Sequence, residues 1–176
     1  MPGHVGPCSG FGLTDKDSIA DAVTKIDAPP ELALVTAGIW HNATRNIFPG
    51  KTMRSLYAAS MTRAFAINPT GPALIAKHML PRLPRERRAV FAVLSAGGGS
   101  NWRQPAGGWH AYRASKAALD MMVVNFTIEM RRPHPEVIVV ALPPAPSAPR
   151  FQHPFRAVCQ QESCFRPPRQ RTISCR

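Results

Sequence analysis

At 176 residues the chain is long enough for one domain with a real core and too short for two ordinary ones. Its hydrophobic share of 44% fits that size, but no apolar run is long enough to span a membrane. Residues 1–12 contain no apolar core of a secretory signal, so a soluble, cytoplasmic protein is expected.

The net charge of +12 would suit a nucleic acid or a phosphate-bearing ligand, but it is unevenly spread. Residues 143–176 carry six Arg, no Lys and one acid, with seven prolines, three cysteines and no Leu. Such a segment buries too little apolar surface to order itself, so a disordered tail is expected there. Only Phe151, Phe155 and Phe165 interleave with its charges, and a nucleic-acid partner is not expected. Cys159, Cys164 and Cys175 fit no common zinc spacing and Cys8 stands alone, so no metal site is expected either.

Along the chain, Lys16 to Asp27 places Ile19, Ala22, Val23 and Ile26 at helical spacing, with Asp15 capping or preceding the helix. Pro29 and Pro30 end it, and Glu31–Thr36 (ELALVT) reads as a buried strand that turns at Ala37–Gly38. Residues 39–50 read as a loop. A long helical stretch runs from Thr52 to Leu83, and Pro69 predicts a kink or break near Asn68. Arg87–Ser95 (RRAVFAVLS) is a second buried strand, followed by a glycine-rich loop through Gly108. His110–Arg131 carries the strongest helix signal, Pro133 and Pro135 terminate it, and Glu136–Leu142 (EVIVVAL) is a third strand.

Helices alternating with strands that lack polar alternation predict βαβ units around a parallel sheet. The expected organisation is an irregular segment at 1–12, an α/β domain at 13–142 and the tail at 143–176.

The segment WHAYRASKAAL places Tyr112 and Lys116 at i and i+4, on one helix face. A lysine ammonium there would favour the phenolate and turn Tyr112 into a usable proton donor and acceptor near neutral pH. The same spacing is common on solvated helices, so alone it decides nothing.

It does not stand alone. In order along the chain come Leu13-Thr14-Asp15, Leu34-Val35-Thr36-Ala37-Gly38, Phe65-Ala66-Ile67-Asn68, Val93-Leu94-Ser95 and Tyr112-Arg113-Ala114-Ser115-Lys116. This series resembles the short-chain dehydrogenase/reductase family, most closely its C-factor and carbonyl-reductase-like branch. The resemblance makes Leu13–Asp15 the end of the family's third strand. It implies a partial Rossmann-like, doubly wound parallel sheet holding the family's fourth to sixth strands.

The resemblance further implies carbonyl–alcohol oxidoreduction with NAD or NADP on a small-molecule substrate, by a homo-oligomer. Tyr112 would be the general acid/base. Lys116 would lower its pKa and hold the nicotinamide ribose, with Ala37, Gly38 and Asn68 also lining the cofactor. Asn68 would hold a water of a proton relay, or simply break the helix. The family's catalytic serine position falls on Ala96, leaving Ser100 as the preferred substitute and Ser95 as the alternative.

Two departures are expected to impair activity. The family's first strand and glycine-rich phosphate loop have no counterpart, as if the amino-terminal part were truncated, and Thr36 replaces an asparagine near the cofactor. After the sixth strand, Pro144-Ala145-Pro146-Ser147 is what a GC-rich coding of the branch's Pro-Gly-Thr-Val-Asp yields when read one base later. A frame shift near Leu142 is therefore expected, and a non-catalytic remnant or a C-factor-like signalling protein is the alternative function.

Overall fold

The computed structural model describes residues 12–42, 47, 50–96 and 108–143. The chain divides into two compact units, Met1–Ala145 and Pro146–Arg176, and all described residues belong to the first. The expected irregular start through Phe11, the serine candidate Ser100 and the tail from Pro144 lie outside the described residues.

The first helix, α1 (Lys16–Thr24), begins where the Asp15 carboxylate accepts hydrogen bonds from the backbone N–H groups of Asp17 and Ser18. Ser18 also bonds back to Gly12 through both backbone groups of that residue. This closed turn corrects the assignment of Leu13–Asp15 to a strand end: Leu13 and Thr14 form a turn whose hydrogen bonding is directed into the helix cap.

Strand β1 (Leu32–Val35) follows. The helical stretch expected from Thr52 starts later, because Leu56 and Tyr57 are extended and only a 3₁₀ turn, Met53–Ser55, precedes them. Helix α2 (Ala58–Phe65) then passes through a π-helical turn (Ala66–Thr70) into α3 (Gly71–Met79). Pro69 sits inside that turn. A proline has no N–H to give and its ring crowds the preceding carbonyls, so the ladder widens there instead of breaking.

Strand β2 (Ala89–Leu94), helix α4 (His110–Met130) and strand β3 (Val137–Leu142) complete the described chain. The sheet is parallel throughout, in the order β1-β2-β3, with Leu34 opposite Ala92 and Ala92 opposite Val140.

Val35, Phe91, Val93, Val137 and Val139 point to the helix side and form one core with Val23, Ala76, Leu80, Leu119 and Val123. Leu119 and Val123 of α4 are thus buried in this core. On the opposite sheet face Leu32, Leu34 and Ile138 are exposed. Among the described residues, the elements supply a helical layer for one face of an α/β sheet.

Candidate active site

The carboxyl ends of parallel strands are where α/β sheets gather ligand-binding groups. Here β1 runs out into Ala37 and Gly38, and β2 into Ser95 and Ala96. The π turn and the first turns of α4 pack beside them.

Asn68 and Ser115 are the most deeply set polar residues of this region, with no exposed surface. Asn68 makes the wider contacts. Its Oδ1 accepts from the Ile39 N–H at 2.7 Å, and its Nδ2 donates to the Ile39 carbonyl at 2.9 Å and to Ser115 Oγ at 2.8 Å. The carboxamide therefore pairs with both backbone groups of one residue, as a neighbouring strand would, and ties the β1 exit to α4. Ser115 Oγ in turn donates to the Tyr112 carbonyl at 2.8 Å, so the hydroxyl bridges the π turn and α4.

Lys116 is buried, and its Nζ donates to the Leu94 carbonyl at 2.7 Å. Gly38 permits this placement: a Cβ there would lie 3.1 Å from Lys116 Nζ and 3.5 Å from Asn68 Oδ1. Burial lowers the lysine pKa, and the negative charge of Asp120 partly opposes that. Asp120, one turn further along α4, accepts a short hydrogen bond from Ser95 Oγ. Burial raises its carboxyl pKa, against the Ser95 bond and the lysine charge, which both lower it.

Tyr112 is half-buried, and burial alone raises its phenol above the ordinary value. This corrects the expectation that Lys116 depresses it. The ammonium is turned to the end of β2, where it donates to the Leu94 carbonyl.

The structure thus gathers Gly38, Asn68 and Lys116 within a few ångströms, with Tyr112 one helical turn before Lys116 and Ala37 at the β1 exit. Of the serine candidates, Ser95 is committed to Asp120, Ala96 has no donor, and Ser100 lies outside the described residues. Sequence reasoning gave no part to Ser115 or Asp120. Their spacing from Tyr112 and Lys116 (i+3 and i+4) was the available signal.

The rim is aromatic. Trp40 and Trp109 meet edge to face, with ring centroids 5.6 Å apart. Trp109 has left-handed backbone geometry (φ 53°), costly for a side chain this large, and its N–H donates to the Gly50 carbonyl at 2.6 Å.

The lysine, the side-chain-free Gly38 and the clamped Ile39 peptide fit the nicotinamide-ribose end of a dinucleotide. A pyrophosphate needs free N–H groups at a helix start. The start of α1 cannot serve, because the Asp15 carboxylate already occupies its N–H groups. Among the described residues, no group of three His, Cys, Asp or Glu side chains could hold a metal ion, and no helix is long and apolar enough to cross a membrane.

Comparison with known proteins agrees with this geometry. Over 84 residues the chain is 38% identical to C-signal from Myxococcus xanthus, covering 48% of this chain and 49% of that protein. The chain thus spans about half the length of this curated relative. The fold is similar to carbonyl reductase Sniffer of D. melanogaster (TM-score 0.64, 21% identity, 75% of this chain and 56% of that one). It is also similar to an NADPH-bound carbonyl reductase from chicken fatty liver (TM-score 0.60, 23% identity, 76% and 55%). The short chain dehydrogenase family matches residues 9–158, a span that takes in all three strands and the Tyr112–Lys116 helix, and to that family the chain belongs.

Proposed function

We propose that this chain carries the catalytic half of an NAD(P)(H)-dependent oxidoreductase that interconverts a carbonyl and an alcohol. The observation that carries the reading is the burial of Lys116 against Gly38 and the β2 end, one helical turn after Tyr112. A fully buried lysine is rare unless it has a task or a partner.

In the reducing direction Tyr112 gives its phenolic proton to the substrate oxygen, and in the oxidising direction it takes that proton back. Lys116, with Gly38 and the Ala37 backbone, would hold the nicotinamide ribose. The cofactor, when bound, supplies or accepts the hydride. Asn68 fixes the Ile39 peptide and, through Ser115, the first turn of α4, and in this reading it stands beside the proton path. Ser100 is assigned the hydrogen bond to the substrate oxygen, since Ser95 is engaged and Ala96 cannot donate. The substrate is a small carbonyl or alcohol compound, and the working form is a homo-oligomer.

A second reading, a non-catalytic relative or a signalling protein, is favoured by the likeness to C-signal. Calorimetric titration of the purified chain with NADH and NADPH separates the two. Saturable binding that Lys116→Ala abolishes, with carbonyl reduction that Tyr112→Phe abolishes, supports the enzyme. A folded chain that binds neither nucleotide would overturn it in favour of the second reading.

A further inference from the structure

We infer that Asp120, fixed by the Ser95 hydroxyl, is a positioning residue for Lys116: its carboxylate is the counter-charge that holds the buried ammonium at the carboxyl end of β2. This rests on the oxidoreductase reading only for what the lysine is used for, not for the pairing itself.

Four observations carry it. Asp120 and Lys116 stand at i and i+4 on α4, one above the other on the same face. Lys116 is buried and Asp120 half-buried, so their attraction is not screened as a solvated surface pair would be. The end of β2 receives both charges through consecutive residues: the Leu94 carbonyl accepts from the ammonium and the Ser95 hydroxyl donates to the carboxylate. Finally, the charge of each opposes the shift that burial gives the other.

Two costs therefore offset each other. A lone ammonium in this setting would be driven toward its neutral form by burial, and a lone carboxylate likewise. Together, each opposes the shift that burial imposes on the other, and each is hydrogen-bonded to the strand end. The lysine has three N–H bonds, and the Leu94 carbonyl takes one; the Gly38 side of the ammonium is where the chain leaves out a Cβ. Ser95 thereby acquires a part that the position next to the family's catalytic serine did not suggest. It anchors the anchor of the lysine.

The test is the titration of Lys116 itself, followed by NMR of isotope-labelled lysine in the full chain without cofactor or substrate, with Lys116→Met identifying its signal. Asp120→Asn keeps the shape and removes the charge, and the Lys116 midpoint is expected to fall by about one pH unit. Asp120→Glu should restore most of it. Ser95→Ala, which leaves both charges in place, should lower the midpoint by less, and serves if the Asn variant does not fold. An unchanged midpoint in Asp120→Asn, or in Ser95→Ala where that variant must serve, overturns the inference. The two readings fail separately: a shifted lysine in a chain with no turnover sinks only the enzyme, and turnover with an unmoved lysine sinks only the pairing.

Discussion

Asn68 shows how much one side chain can hold at this site. It has no exposed surface and three hydrogen bonds, two of them to the Ile39 peptide. Asn68→Ala would leave both Ile39 backbone groups and the Ser115 hydroxyl short of a partner; the buried Ser115 loss costs about 1–3 kcal/mol, and the two part-buried Ile39 losses cost less because water can reach them. A total of about 2–4 kcal/mol is expected in urea unfolding; a loss under about 0.5 kcal/mol would mean that water replaces the amide. Lys116 gives a second prediction, in pH. Its folded pKa is lowered by burial, so below the ordinary value of 10.5 the unfolded chain holds the proton more tightly than the folded one. Stability relative to Lys116→Met should therefore rise as pH climbs toward 10.5. Tyr112, raised above 10.0, holds its proton more tightly when folded, so it stabilises the fold at neutral pH, and that contribution is lost at pH above 10.0. A difference between wild type and Lys116→Met that stays flat from pH 7 upward would contradict the burial. These residues were partly legible. Tyr112, Lys116, Gly38 and Asn68 could be read because each sits in a spaced motif. The state of Tyr112 could not, because the burial that raises its phenol is set by the packing around the first turn of α4 and not by its own motif.

At the scale of elements, the junction of the turn before α1 with α3 is set by a missing side chain. A Cβ on Gly71 would come within 2.5 Å of Leu13 Cγ, too close for a branched carbon so near its own backbone to yield. Helix propensity alone would make Gly71→Ala stabilising by about 1 kcal/mol. The clash reverses the sign, and a net loss of about 1–3 kcal/mol is expected. Leu13→Ala in the same background should recover a good part of that loss, a coupling that a double-mutant cycle measures directly. Additive effects would mean that α3 moves away instead. The break between α2 and α3 was visible in Pro69, since a ring without an N–H disturbs any helix. Its form as a π turn was not, because widening the ladder instead of breaking it depends on the packing of α4 alongside. The late start of α2 escaped for a similar reason. Residues 52–57 have helical composition, but the chain there is drawn out so that Gly50 can receive the Trp109 N–H and Lys51 can pack against Gly108, where a Cβ would meet the Lys51 carbonyl at 2.6 Å.

For the whole molecule, the sequences of the strands and their surroundings disagree in an informative way. Runs such as AVFAVL and VIVVAL without polar alternation belong to strands covered on both faces. In the described residues one face is covered by α1, α3 and α4, while Leu32, Leu34 and Ile138 stand 62%, 51% and 38% exposed on the other, and β1 has one strand neighbour. An apolar face beside an open strand edge is a template for association. The chain is accordingly expected to self-associate in sedimentation experiments as its concentration rises, and to bind a hydrophobic dye under native conditions. Leu32→Lys with Leu34→Lys should weaken both effects without unfolding the protein, because neither side chain contributes to the core on the helix side. A chain that stays monomeric and silent to the dye would show that this face is already covered. Association that the lysines leave untouched would point instead to Met121, Val124 and Ile128, which lie exposed along the outer side of α4. Helix pairing would then bring two copies of the Tyr112–Lys116 helix together and leave the sheet face open.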